Sequence, residues 1–205
     1  MAHAPLSAAD RKLLETTPPE ALFAALKRVL FAKGLVAPEE IPAQIAQTER
    51  ASPLIGAQIV ARAWTDPAYR ALLLAEPARA VEAFGVSLTG APPLGVLENR
   101  PGQHHLIVCT LCSCYPRAVL GYPPFWYKSA AYRARAVRDP RGLLAEWGTV
   151  LPAGTEITVV DSTADYRWMV LPMRPSGTEG WDEARLSALV RVSDLIGMTV
   201  PEAPA

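Results

Sequence analysis

The chain predicts an α+β fold: a helical N-terminal arm over residues 1–50, then a layered α-β-β-α domain over residues 51–205. Two observations carry this. Helix-opening signals, prolines or polar caps ahead of apolar stripes, fill the sequence up to Gly85. Beyond Gly85 the pattern changes to Gly/Pro loops that separate short β-prone runs, and a helix-rich start followed by paired strands argues for a layered sheet core.

In order along the chain, Ser7-Ala8-Ala9-Asp10 approximates a capping box that opens a short helix. Thr17, before Pro18-Pro19, opens a second that ends near Gly34. There Leu22, Leu26, Val29, Leu30 and Ala32 recur at helical spacing, with Lys27, Arg28 and Lys33 around them. Such a face either grips a partner or packs on its own domain. Pro53 reads as a first-turn residue, Asp66-Pro67 as an N-cap and first helical position, and Pro77 as the opening of a turn that stops at Gly85. Gly90, Pro92 and Pro93 mark a loop, after which Val96-Leu97 and His105-Leu106-Ile107-Val108 read as short strands.

The stretch from Pro124 to Arg138 interleaves Phe125, Trp126, Tyr127 and Tyr132 with Lys128, Arg133, Arg135 and Arg138. That mixture suits either a nucleic-acid surface or a helix with its rings turned inward, and the neutrality of the chain favours the second. Asp139-Pro140 starts a helix reaching about Trp147, strands follow at residues 156–160 and 167–171, and Trp181-Asp182 leads a last helix with Leu186, Leu189 and Val190.

Twenty basic and twenty acidic residues cancel, so the chain has no electrostatic footprint for nucleic acid or an anionic membrane. It contains neither a long apolar run nor a secretory type of N-terminus, which places it in the cytoplasm, where thiols stay reduced for metal loading.

Cys109, Cys112 and Cys114 are the only cysteines, and they lie within six residues. An odd number of thiols in one turn is no disulfide framework. A metal claw is the better reading. Zinc would need a fourth ligand from His104 or His105, giving a structural or interaction module, but the spacing resembles no zinc ribbon. Alternatively the backbone nitrogens of Ser113 and Cys114, if deprotonated, join the three sulfurs as a five-ligand set with the sixth position open for Lewis-acid chemistry.

The run Val108-Cys109-Thr110-Leu111-Cys112-Ser113-Cys114-Tyr115-Pro116, followed by Leu120-Gly121, Pro123-Pro124, Trp126-Tyr127-Lys128 and Tyr132-Arg133-Ala134-Arg135, resembles the alpha subunits of nitrile hydratase and the related gamma subunits of thiocyanate hydrolase. Matches continue through Asp161-Ser162, Arg167, Leu171-Pro172, Arg174-Pro175, Gly177-Thr178, Gly180-Trp181 and Ile196-Gly197, so the resemblance covers about residues 50–200. It implies a cobalt-dependent nitrile hydratase alpha subunit that converts nitriles to amides, with a thiocyanate-hydrolysing gamma subunit as the alternative. Thr110 and Tyr115 stand where the family's cobalt members differ from its iron members, implying non-corrin cobalt(III) rather than iron.

By the same resemblance Cys109 stays a thiolate, Cys112 becomes sulfinic acid and Cys114 sulfenic acid, the first rungs of thiol oxidation. The catalytic residues implied are Cys114, with water or its sulfenate oxygen as nucleophile, and Ser113. Oxygens on Cys112 and Cys114 need donors, which the family supplies from arginines of a beta subunit. A beta-type partner, a metallochaperone and an N-terminal arm that reaches across the partner are therefore expected.

Asp161 and Arg167, read as lying on neighbouring strands, are expected to orient the claw or the subunit interface. Two positions depart from the usual hydratase pattern and are assigned to the substrate pocket: Arg117 in place of Trp, as in the thiocyanate enzymes, and Thr89 in place of Gln. An arginine favours an anion, since unit charges at about 4 Å attract by roughly 4 kcal/mol at an effective dielectric near 20.

Overall fold

A computed structural model describes residues 7–50, 52–112 and 114–204. Two compact units divide at Gln47 and Thr48.

The first unit is helical. In α1 (Ala8–Thr16) the capping box forms, the Ser7 side chain accepting from Asp10 N–H and the Asp10 carboxylate from Ser7 N–H. Thr17 does not cap α2 (Pro19–Ala32). Its hydroxyl bonds back to Leu13 O and closes α1, while Pro18 occupies the α2 cap without a side-chain bond. The chain then turns at Gly34, where φ is +62°, and α3 (Glu40–Arg50) follows Pro38, its Glu40 carboxylate accepting from the Ala37 amide at 2.6 Å.

Three proline-opened helices lead the second unit. Ser52 caps α4 (Pro53–Thr65), and Asp66 caps α5 (Pro67–Ala75) through the amides of Ala68 and Tyr69. The short α6 (Pro77–Glu82) follows. Gly56 on α4 permits close packing, because a Cβ there would meet Leu120 Cδ2 at 2.5 Å.

Four strands then appear, β1 (Leu94–Glu98), β2 (Gln103–Val108), β3 (Glu156–Asp161) and β4 (Arg167–Leu171). Chain neighbours do not pair. A tight turn in which Arg100 and Gln103 exchange backbone bonds joins β1 to β2, yet β1 pairs in parallel with β4 and β2 in parallel with β3. Asp161 and Arg167 consequently stand in different ladders, not on adjacent strands. Between β2 and β3 run α7 (Arg117–Leu120), a single 3₁₀ turn (Trp126–Lys128), α8 (Ala130–Arg138) and α9 (Pro140–Glu146), the last capped by Asp139. The final helix, α10 (Glu183–Ser187), is shorter than expected and stops before Leu189 and Val190.

The core of this unit gathers Ile59, Val60 and Leu73 from the first helices with Leu106, Ile107 and Met169 from the strands. Apolar burial is the main stabilising term. Tyr127 and Tyr132 are buried with their rings against Tyr115 and Trp126, whereas Phe125 is 87% exposed, so the aromatic-basic stretch turns only part of its rings inward. Among the described residues no helix is long and apolar enough to cross a membrane.

Candidate metal centre on the cysteine claw

The β2–β3 ladder aims two chain segments at one point. Val108 and Asp161 are in register at its end, and the claw begins at the next residue. Ser162 continues the pairing by donating its N–H to Val108 O at 2.7 Å. Cys109 is thus fixed by a strand end and is 1% exposed, Cys114 is buried, and Cys112 is exposed.

None of the three is in a disulfide, and their sulfurs all lie within 4.8 Å of one another. Cys112 Sγ is 3.2 Å from Cys114 Sγ and 3.6 Å from Cys109 Sγ. Two sulfurs at about 2.3 Å from one metal are about 3.3 Å apart on adjacent octahedral corners and about 3.8 Å apart on tetrahedral ones. These two spacings fall within or next to this span and the third is at most 4.8 Å, so the set suits one ion with little closure of the loop. Burial pushes the Cys114 thiol upward, the Cys112 and Cys109 sulfurs push it the same way, and the Arg167 guanidinium opposes them. A bare claw therefore keeps its proton there, and a cation must displace it.

Neither histidine joins the sulfurs. His104 Nε2 lies 2.7 Å from Gly197 O and its Nδ1 lies 3.1 Å from Asn99 Nδ2, which makes Nε2 the donor and Nδ1 the acceptor. His105 places Nδ1 at 3.1 Å from Asn99 Oδ1. Burial lowers both histidines below their usual range, and Arg100 adds to the effect at His105. The only metal-ligating group among the described residues that includes the claw is the three cysteines, which leaves a tetrahedral zinc site without its fourth side chain.

The claw opens onto a cavity of about 410 Å³ lined by Cys112, Cys114, Tyr115, Arg117 and Arg167, with Leu88, Ala91, Pro92, Leu94 and Val119 among its apolar walls. Arg117 lines this cavity, its guanidinium 5.5 Å from the centre of the Tyr122 ring. Arg167 enters from the start of β4 with a buried Nη1 that has no partner, and the buried Tyr115 hydroxyl is likewise unpaired. Unpaired buried donors are costly, and both belong to residues that line the cavity.

Thr89 does not line this cavity. It sits exposed beside its neighbours Leu88 and Ala91, exchanging hydrogen bonds with Ser87 at 3.1 and 3.2 Å. Ser113 lies outside the described residues. Asp161 meets the claw loop directly, its carboxylate accepting from the Thr110 amide at 3.1 Å and from the Thr110 hydroxyl.

Sequence reasoning passed over three further contacts. Tyr127 donates its hydroxyl to Cys114 O at 2.9 Å, Tyr132 donates to Ile107 O at 2.5 Å, and Arg133 Nη1 donates to Thr110 O at 3.1 Å. The tyrosines carried a usable signal, because a hydroxyl on an inward-turned ring needs an acceptor.

Three cysteine sulfurs gathered at a strand end and facing a walled cavity form a group able to hold a metal, in a chain of mixed helix and strand. The chain belongs to the nitrile hydratase alpha chain family, whose model matches residues 17–199. It is 47% identical over 182 residues to the alpha subunit of the low-molecular-weight cobalt-containing nitrile hydratase of Rhodococcus rhodochrous, covering 88% of each chain. It is 41% identical over 194 residues to the gamma subunit of thiocyanate hydrolase from Thiobacillus thioparus, covering 89% of this chain and 80% of that one. Its structure matches a double mutant of the iron-type nitrile hydratase of Comamonas testosteroni Ni1 with a TM-score of 0.78 at 43% identity, covering 92% and 94% of the two chains.

Proposed function

We propose that this chain is the metal-bearing alpha subunit of a cobalt-dependent nitrile hydratase and acts on small neutral nitriles to give amides. The observation that carries the reading is the meeting of three sulfurs and a cavity with apolar walls at one strand end. Thr110 follows the first cysteine and Tyr115 the last, the residue choice that the resemblance ties to cobalt members, and cobalt-containing relatives support cobalt.

Cys109, Cys112 and Cys114 would hold the metal, with the backbone nitrogens of Ser113 and Cys114 completing the set. When bound, cobalt supplies Lewis-acid polarisation of the nitrile. Leu88, Ala91, Pro92 and Val119 take the organic part of the substrate and exclude bulk water. Arg167 and Tyr115 offer donors to the oxygens that oxidation places on Cys112 and Cys114, with the partner subunit's residues supplying the remainder. Asp161 orients the loop through Thr110.

The partner is a beta-type subunit, and residues 1–50 form the arm that grips it. Exposure of Leu13, Leu14, Phe23, Leu26 and Val29 supports this, since such apolar surface calls for a covering chain. We read the two parallel ladders, with helices before and after them, as the layered α-β-β-α core, and we place the complex and its metallochaperone in the cytoplasm.

Arg117 favours a second reading, the gamma-type subunit of a thiocyanate hydrolase, because a guanidinium on the cavity wall attracts an anion.

Metal analysis of the chain purified with its partner tests the site: about one cobalt per chain, with added oxygen mass on Cys112 and Cys114. Cys112→Ala should abolish retention. A variant that keeps a full equivalent of cobalt contradicts the assignment.

A further inference from the structure

Thr110 offers three polar groups, and all three are bonded to side chains outside the claw. Its N–H and hydroxyl go to Asp161, and its carbonyl goes to Arg133 at 3.1 Å. The two peptide planes that flank Thr110 are therefore each held from outside, the first by a carboxylate at its N–H and the second by a guanidinium at its C=O. Both orientations follow the peptide dipole, and bonds to charged partners are the stronger kind.

Each holder is itself well placed. Asp161 is the last residue of β3, level with Val108, so the ladder that delivers Cys109 also delivers the carboxylate. Arg133 sits in the first turn of α8, next to Tyr132, whose hydroxyl ties the helix to Ile107 O on β2. Ser129 caps that turn. At the far end of the loop Tyr127 holds Cys114 O. Leu111 is 85% exposed, and Cys112 N–H turns inward to Cys109 Sγ at 3.3 Å.

We propose that Asp161 and Arg133 act through Thr110 as a clamp that presets the Cys109 end of the claw, and that this clamp governs how firmly the chain retains its metal. A ligand set already gathered loses little conformational freedom on binding, whereas a slack loop must be ordered by the ion itself. Arg133 and Asp161 are positioning residues, since neither touches the sulfurs. The inference rests on reading the claw as the metal centre.

The test uses the full chain co-purified with its partner subunit, compared with Arg133→Met, Arg133→Lys and Asp161→Asn, and with Arg138→Met as an exposed control on the same helix. The readouts are cobalt per chain, the sulfur-to-metal charge-transfer band, and the rate of cobalt loss to excess chelator. Loss of outer hydrogen-bond partners typically weakens metal binding about 10–100-fold. Arg133→Met and Asp161→Asn should shed cobalt faster by that order with a shifted band. Arg133→Lys should recover part of the retention, and Arg138→Met should match the parent. Should Arg133→Met fail to fold, Arg133→Lys and Asp161→Asn decide the matter through the same readouts. Clamp variants that bind cobalt and absorb like the parent overturn the inference, as does retention that falls only in step with thermal stability and is no better for Lys than for Met. A parent chain that takes up no cobalt overturns the metal reading itself, and the clamp with it.

Discussion

Replacing Gly197 by Ala should unseat the strand that feeds the claw. Gly197 has φ +79°, and a Cβ there would lie 1.9 Å from His105 O and 2.9 Å from its carbonyl carbon, both backbone atoms of β2. No side-chain rotation relieves such an overlap. Left-handed backbone at a non-glycine residue costs about 1–2 kcal/mol. Moving the segment also breaks the His104 Nε2 bond to Gly197 O, and stranding those buried groups costs about 1–3 kcal/mol. Together the change should destabilise the chain by about 2–5 kcal/mol, lowering the thermal midpoint by about 4–20 °C for a chain of this size. Gly102→Ala is the matched control, because its φ is +81° but nothing lies within 4 Å of the added Cβ. It isolates the backbone cost alone. Circular dichroism melts of the two variants beside the parent read the difference directly. If Gly197→Ala melts no lower than Gly102→Ala, the close approach to β2 does not constrain the fold and the reasoning fails.

Arg117→Trp separates the two substrate readings. On thiocyanate it should raise KM severalfold, and on a small nitrile it should change turnover little; an enzyme that hydrolyses thiocyanate and leaves nitriles untouched would overturn the hydratase reading. Stability should also fall on acidification. His104 and His105 are held below their usual range by burial, so below about pH 6.5 the unfolded chain binds protons that the folded chain refuses. The stability is complete above that pH and is lost as pH falls from there toward the depressed folded values. The urea midpoint measured from pH 7.5 down to pH 5 should drop, and His104→Gln should flatten the slope; a midpoint independent of pH would refute the assignment.

What could be read from the sequence was what is decided locally. Asp66-Pro67 and Asp139-Pro140 announced helix starts because a cap and its helix are a few residues apart. The three cysteines were legible for the same reason. Pairing was not, since the turn at residues 99–102 looks like the corner of a hairpin, and nothing nearby says that Leu94 will lie beside Arg167. That distant pairing also put Asp161 and Arg167 in separate ladders and brought Arg167 to the cavity wall. Thr89 was chosen by alignment, but the loop turned Leu88 and Ala91 inward and left Thr89 bonded to Ser87. Arg133 stood in plain view among the basic residues of α8 and could not be told from Arg138 until the helix was placed against Thr110.

The interlocked parallel ladders also set a timetable for synthesis. When the ribosome has released Cys114, β1 and β2 have emerged, but the strands that each must pair with are still unmade. Asp161 follows Thr110 by 51 residues. Contacts so far apart in sequence form late, because the intervening chain must first be closed into a loop. For that interval the three thiols ride on an unfinished strand edge, open to oxidants and stray ions alike. On the metal reading proposed above, a nascent chain loaded before β3 docks would have the sulfurs without their frame, so loading would wait for the C-terminal third of the protein.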